Sequence, residues 1–404
     1  MTEQGRPQKI LMFGSASPNV CNACTLHLSG LANALQYKEA KVTFLFPRSG
    51  KQSEIRKMLS SEVKLIEFSC PKIPMIKRHI WTLGPIFALK EFLSLLFRER
   101  WDSVYIRAGL LTWILHFICR VRGVFSVSEH NGVIRDEIRL RTWGKSAGYF
   151  FLAWLQRMDG NFASCNRVVT KGMIQKLVQI GISERKIFVC GNATNLSENN
   201  IVTRKSALEA FGLSEKFFYI GFLGTLQWWQ GVSFLLSAFA LASQKRTEIR
   251  LLVGGDGPER ASLERLAKEL KINDLVHFVG HVNSDRRCQF ISTFDIATLP
   301  AIRERNQDLG VSPIKIRDYL AMGRTVLASR LPGLEDLEAA RAIHLHEPEN
   351  IRTMAVEMQK LVDSPKLRAK LSCNGLKYAK KNYDWAETAQ IILDVMEQGA
   401  FIDD

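Results

Sequence analysis

Short apolar runs alternate with longer helix-patterned stretches along this chain, and the series breaks near the middle and starts again. Strands apolar on both faces suit a parallel sheet wrapped by helices, because parallel neighbours must be joined by a crossover that covers the sheet. In the first half the strand candidates are Lys9–Gly14, Val42–Phe46, Val63–Phe68, Ser103–Arg107, Phe125–Ser128, Arg167–Thr170 and Ile187–Cys190, with helices over Leu26–Leu35 and Ser146–Met158 among them. Gly191-Asn-Ala-Thr-Asn195 is a turn-rich break. The second series runs Phe218–Leu223, Ile249–Val253, Val276–Val279, Phe294–Leu299, Thr325–Ala328 and Ala342–Leu345. The pattern predicts two α/β domains, and 404 residues give room for both.

Several function classes are disfavoured by composition. Apolar residues make up 46%, enough for substantial cores rather than disorder. The start, Met1 to Lys9, is polar and leads into the strand-like Ile10-Leu-Met-Phe13, so no secretory leader is read there. The longest apolar run, Ile80 to Phe97, is interrupted by Gly84-Pro85 and Lys90-Glu91, against a membrane-spanning helix. These features predict a cytoplasmic protein. Cysteines at 21, 24, 70, 119, 165, 190, 288 and 373 are scattered, and Cys21-Asn-Ala-Cys24 has no second pair at zinc spacing. Charge is unevenly divided: residues 1–200 hold 28 Lys and Arg against 14 Asp and Glu, nearly all of the net +15. A basic half suits anionic lipid or an acidic substrate. No nucleic-acid-binding signature accompanies it, so no nucleic-acid partner is expected.

The stretch Ser312 to Gly333 gathers polar chemistry at the start of a short helix. Ser312 fits the N-cap, Pro313 the first helical position and Gly323 the left-handed stop before the strand Thr325–Ala328. Free N–H groups and the positive dipole end of the helix at 313–315, through Ile314, with Lys315 beside them, form an anion site, and Asp318 offers a carboxylate for sugar hydroxyls. A nucleotide-sugar matches that arrangement.

This segment resembles the donor signature of retaining glycosyltransferases of GT-B architecture, in the bacterial family 4-like, or group 1, subgroup, where the pattern reads like SPLKLFEYMAxGKPVVAxxxPG. The resemblance implies two Rossmann-like parallel-sheet domains facing across a cleft, with a C-terminal helix returning to the first: residues 1–192 for the acceptor, 193–382 for the donor, and 383–404 for that helix, where Tyr383-Asp-Trp-Ala-Glu resembles the family's "SWE" segment. Two positions depart from the pattern. Asp318 stands for the usual Glu of "EYMA", and position 310, where the wider family carries a second Glu, is Gly, leaving Asp308 and Glu304 as the nearby carboxylates.

Four loops after strands of the second domain would carry the donor. Gly224-Thr225-Leu-Gln-Trp-Trp-Gln230-Gly231 resembles the "GxLxxxKG" loop that contacts the donor diphosphate, with Gln230 at the Lys position. Trp228 and Trp229 either pack on the sugar or seal an interface. Gly254-Gly255-Asp256-Gly-Pro258 resembles the "GxGP" turn, and either approaches the ligand or only turns the chain. Gly280-His281-Val282 resembles the base-recognising "GxV" loop. Arg303 and Glu304 lie in the charged loop before the signature helix, at donor-sugar distance by analogy.

In the first half, Val127-Ser-Glu-His-Asn-Gly132 resembles the "HNG" turn of acceptor domains. It makes Glu129 and His130 the catalytic candidates, together with Glu304. Asn131, Arg107 and Ser15, in the loop after the first strand, are the acceptor-binding candidates. No Asp-x-Asp pair or histidine cluster points to a metal, and no cofactor is implied beyond the donor substrate. Basic Pro71–Arg78 and the aromatic-rich Ile80–Phe97 and Tyr149–Leu155 either pack on the sheet or dock on anionic lipid at the inner face of the cell membrane. The expectation is metal-independent sugar transfer from a nucleoside-diphosphate sugar, with retention, to a saccharide or lipid-linked acceptor in cell-surface polysaccharide synthesis. A degenerate sugar-nucleotide-binding scaffold and a sugar-nucleotide epimerase of the same architecture are the alternatives.

Overall fold

The computed structural model describes residues 6–15, 23–48, 54–70, 83–133, 148–194, 202–244, 246–307, 310–311 and 314–399. Contacts divide the chain into two units, Met1–Ala193 with Trp385–Asp404, and Thr194–Asp384. Their sheets give the GT-B type of α/β fold, two Rossmann-like parallel sheets of seven and six strands.

In the first unit the strands are β1 (Lys9–Phe13), β2 (Lys41–Pro47), β3 (Lys64–Phe68), β4 (Ser103–Arg107), β5 (Phe125–His130), β6 (Cys165–Val168) and β7 (Ile187–Val189). All pair in parallel, in the order β3-β2-β1-β4-β5-β6-β7. The pleat explains why β1 is apolar from Ile10 to Phe13. Ile10 and Met12 join one core with Leu28, Leu31 and Phe44, while Leu11 and Phe13 join the core on the other face with Phe92, Leu96 and Leu115. The last helix, Trp385–Gly399, belongs to this unit, and its Trp385, Ala389, Ile392 and Met396 complete the first of those cores.

The second unit contains β8 (Phe218–Leu223), β9 (Ile249–Gly254), β10 (Val276–Gly280), β11 (Ile296–Leu299), β12 (Thr325–Ser329) and β13 (His344–His346). Their order is β10-β9-β8-β11-β12-β13, again all parallel. Its helices are capped as their sequences suggest: Thr203 accepts from the Ser206 amide, Asn350 from the Thr353 amide, and Ser364 from the Leu367 amide ahead of Pro365. In each sheet the strand order reverses beside the first strand, between β1 and β4 and between β8 and β11. Open parallel sheets bind ligands at the carboxyl ends of such strands.

Every strand read from sequence is present, Ser103–Arg107 and Phe218–Leu223 with the same ends and the others with shifted ones. The most consequential shift is in β5, which runs on to His130 and so takes Glu129 and His130 out of the turn and into the sheet. The two helices named above form as Ala23–Tyr37 and Gly148–Phe162. Pro71–Arg78 and Cys21 lie outside the described residues, and burial raises the pKa of the Cys24 thiol. Among the described residues no helix is long and apolar enough to cross a membrane.

Candidate functional site

The donor candidates of the second unit converge on the end of β8. The Gly224 amide donates to the Gly254 carbonyl at 3.0 Å, the Gly255 amide to the Gly280 carbonyl at 2.6 Å, and the Leu226 amide to the Asp256 carbonyl at 2.9 Å. The loops after β8, β9 and β10 are therefore laced to one another by backbone. Gly255 has φ +122°, and a side chain there would strike the Gly224 carbonyl. That turn is needed to bring the loops together. Asp256 is exposed and its carboxylate accepts from the Gly257 amide at 2.8 Å.

Lys315 stands in the middle of this lacework. Its Nζ donates to Gln230 Oε1 at 2.7 Å and lies 4.2 Å from the centre of the Phe222 ring. A methyl group at position 224 would come within 2.5 Å of the same nitrogen, so the glycine keeps the ammonium's path open. Burial lowers the Lys315 pKa to about 7. The amide at 230, which replaces the usual lysine, thus serves as an acceptor that fixes the cation of a neighbouring helix. Thr225 is exposed on the same loop, and Ile314 is partly exposed beside Lys315. Ser312, Pro313 and Asp308 lie outside the described residues.

Asp318 requires a correction. The sequence reading offered its carboxylate to sugar hydroxyls, but it is 5% exposed and both oxygens are engaged. Thr194 Oγ1 donates to Oδ1 at 2.5 Å, and Arg287 Nη1 lies 3.1 Å from Oδ2. Its pKa is raised by burial, against the opposing pull of Arg287. The side chain points from the helix Ile314–Ala321 into the protein, one turn from Lys315, where it ties that helix to Thr194 and Arg287.

The remaining donor candidates and the catalytic candidate Glu304 lie at or near the surface. His281 is exposed and Val282 partly buried after β10. Arg303 and Glu304 are exposed on the short helix Arg303–Asn306, where Arg303 pairs with Glu347 at 3.1 Å. Arg305 lies over the Trp229 ring at 4.9 Å, so Trp229 already has a cationic neighbour. Gly310 has φ +70°, and its amide closes on the Asn306 carbonyl at 2.9 Å. A glutamate there would be strained, which accounts for the missing carboxylate in backbone terms. Gly323, as expected, stops the signature helix at φ +62°.

In the first unit the structure overturns the catalytic reading of Glu129 and His130. Both are 0% exposed. Alternation along β5 sends them to opposite faces. Glu129 Oε2 meets His27 Nε2 at 2.9 Å, the Tyr105 hydroxyl at 2.5 Å and Arg167 Nη1 at 3.3 Å. Oε1 accepts from Arg107 Nη1 at 3.0 Å and from the Asn131 amide. Burial pushes the Glu129 pKa up, but His27, Arg107 and Arg167 outweigh it and hold the carboxyl well below its ordinary range. On the other face, His130 Nε2 meets Asn166 Oδ1 at 3.0 Å, and Thr112 and Ser128 hydroxyls each donate to Asp159 at 2.5 Å. Neither side chain reaches solvent, because every polar atom that could reach it is spent on a neighbour. Arg107, Asn131 and Ser15 do remain partly exposed at the ends of β4, β5 and β1.

Sequence reasoning missed Arg167, His27, Tyr105, Tyr319 and Phe222. Arg167 and Tyr105 carried a signal, a polar group within an apolar strand run. Tyr319 sits inside the signature helix, and its hydroxyl accepts from the Leu223 amide at 2.9 Å while fully buried. That bond holds the helix bearing Lys315 to the end of β8. Tyr319→Phe orphans a buried amide and is expected to lower stability by about 1–3 kcal/mol. A urea titration of the variant against the parent chain measures it.

Comparison with known proteins agrees with this geometry. Residues 203–378, within the second unit, match the family model for glycosyl transferases group 1. D-inositol 3-phosphate glycosyltransferase 2 of Catenulispora acidiphila is 28% identical over 205 residues, covering 48% of this chain and 46% of that protein. The chain spans about half the length, or less, of most curated relatives it matches. Sucrose-phosphate synthase of Thermosynechococcus elongatus superposes with a TM-score of 0.77 at 15% identity, over 98% of this chain and 100% of that one. HepE of Anabaena, solved with UDP and glucose, superposes with a TM-score of 0.73 at 17% identity, over 96% and 99%. The fold is GT-B, and residues 203–378 of the second unit are similar to glycosyl transferases group 1.

Proposed function

We propose that this chain is a retaining, metal-independent glycosyltransferase that moves a sugar from a nucleoside-diphosphate sugar to a saccharide or lipid-linked acceptor, at the inner face of the cell membrane, in cell-surface polysaccharide synthesis. The observation that carries the reading is Lys315, fixed by Gln230 and Phe222 among the laced loops at the switch point of a group 1 domain. A diphosphate that leaves with the bonding electrons needs a fixed positive partner in a dry setting, and a cation held before the reaction stabilises that charge most effectively. Backbone amides of the neighbouring loops add to it.

The bond from the anomeric carbon to the diphosphate oxygen breaks, and the pair of electrons leaves with the diphosphate. The acceptor oxygen bonds to the same carbon on the same face, and a departing phosphate oxygen takes the acceptor proton. Burial of Glu129 and His130 agrees with a mechanism that asks for no enzyme base from that strand. Arg107, Ser15 and Asn131, partly exposed at their own switch point, suit acceptor hydroxyls or an anionic acceptor group.

Because HepE was solved with UDP and glucose, UDP-sugars head the donor panel. Thermal shifts with uridine, guanosine, adenosine, cytidine and thymidine diphosphates and their sugars, with EDTA and with Mg²⁺, are expected to give one selective, EDTA-insensitive stabilisation. Turnover of that donor with an acceptor, followed by proton NMR of the new anomeric centre, reports the stereochemistry. Inversion, or a strict Mg²⁺ requirement, refutes the corresponding part of the proposal. A shift without transfer or hydrolysis favours the binding scaffold.

A further inference from the structure

An aromatic surface on the first unit is not used by any group described above. The helix Gly148–Phe162 buries Leu155, Gln156 and Asp159 and turns its opposite side outward. There Phe150, Phe151 and Trp154 are 81%, 58% and 47% exposed, and the last two rings stack at 5.8 Å. Elsewhere on this unit Phe117 of the helix Trp113–Val121 is 46% exposed, and its ring meets Phe162 at 5.2 Å. Phe97 is 61% exposed beneath the Arg122 guanidinium of the same region at 4.5 Å. Soluble surfaces seldom leave so many large rings of one unit uncovered.

Its charge selects the partner. Arg120, Arg122 and Arg157 are exposed around the rings, and no carboxylate among the described residues pairs with any of them. They belong to the half of the chain that carries nearly all of the net +15. Rings that enter the headgroup boundary, rimmed by unpaired guanidinium groups, match an anionic bilayer rather than an acidic soluble ligand, which would leave the rings wet. We propose that this face, centred on Phe150, Phe151 and Trp154, docks the first unit on anionic lipid, with the rings in the interface and no spanning helix. The proposal rests on the peripheral location given above and names its surface. The sugar chemistry of the second unit plays no part in it.

The test is sedimentation of the full chain with vesicles of neutral phosphatidylcholine and with vesicles containing phosphatidylglycerol. Binding is expected to be about tenfold or more tighter with the anionic lipid, and brominated acyl chains should quench fluorescence in the parent chain but much less in Trp154→Phe. The double variant Phe150→Ser/Trp154→Ser and the triple variant Arg120→Ala/Arg122→Ala/Arg157→Ala should each lose about tenfold in partitioning. All three alter exposed positions, so their circular dichroism and their thermal shift with nucleoside diphosphate should match the parent, which separates this proposal from the donor reading. Equal binding to both vesicles, binding with Trp154 unquenched, or a concentration-dependent dimer with no vesicle binding would each overturn it.

Discussion

Lys315→Ala should weaken nucleotide-sugar binding by about 10- to 100-fold and cut kcat by about 100- to 1,000-fold, the usual scale for a lost charge-assisted contact and a lost oxyanion donor. The effect should depend on pH in the parent chain. Burial holds the ammonium's pKa at about 7 before ligand arrives, and a diphosphate beside it favours the charged form. Binding therefore takes up a proton wherever the free chain is neutral. Affinity for a nucleotide-sugar, whose diphosphate charge is constant above neutrality, should be level below pH 6 and fall by up to about tenfold per pH unit above pH 7. In Lys315→Ala that slope should vanish. Isothermal titration at several pH values in two buffers of different ionisation heat measures both affinity and proton uptake. A slope that survives the substitution would place the titrating group elsewhere.

Gln230 supplies the converse experiment. A resemblance-guided engineer would restore lysine there, but the amide oxygen of Gln230 accepts from Lys315 at 2.7 Å. Gln230→Lys would set two ammonium groups where one now has an acceptor, depressing the pKa of both. The variant should bind donor more weakly than the parent at pH 8, and less so at pH 6.

Much of the fold was legible because its signals are local and repeated. Ile10-Leu-Met-Phe13 can only be a strand covered on both faces, and Gly323 before Thr325–Ala328 marks a helix stop followed by a strand. The site was legible only in outline. Gly224 and Gln230 were named from one loop and Lys315 from another segment, but their meeting depends on the ends of β8 and β11 brought side by side. Asp318 and Glu129 misled for one reason: a carboxylate in a motif has the same letter whether it faces ligand or protein. For both, the deciding facts were basic and hydroxyl partners far away in sequence, Arg287 and Thr194 for one, Arg167 and Tyr105 for the other. Gly310 teaches the opposite lesson. A departure from a motif was visible, while its cause, a left-handed turn closing on Asn306, was not.

The buried network should dominate the stability of the first unit. Arg167 donates from Nε and Nη2 to the Cys190 and Gly191 carbonyls at 3.0 and 2.6 Å, and from Nη1 to Tyr105 and Glu129, with no exposure at all. Arg167→Ala leaves those carbonyls and the Glu129 carboxylate with fewer partners in a dry interior, so it should cost about 3–5 kcal/mol, as should Glu129→Ala. The Arg167→Ala/Glu129→Ala pair should cost less than the sum of the two, because the second change removes the charge that the first one strands. Acid should act through the same region. His27, His116 and His130 are all lowered by burial, His116 to about 4. Each binds a proton less readily in the folded chain than in the unfolded one, so its contribution is full above about pH 6.5 and declines as pH falls towards the folded value, by up to about 1.4 kcal/mol per pH unit per histidine. Glu129, held low, adds its own loss only below about pH 4.3, the ordinary glutamate value. Hydrogen exchange followed by mass spectrometry should show β4, β5 and β6 losing protection between pH 6.5 and 4.5, ahead of β8, β9 and β11. If the six strands lose protection together, or the second unit opens first, the buried histidines are not what sets the acid limit of this fold.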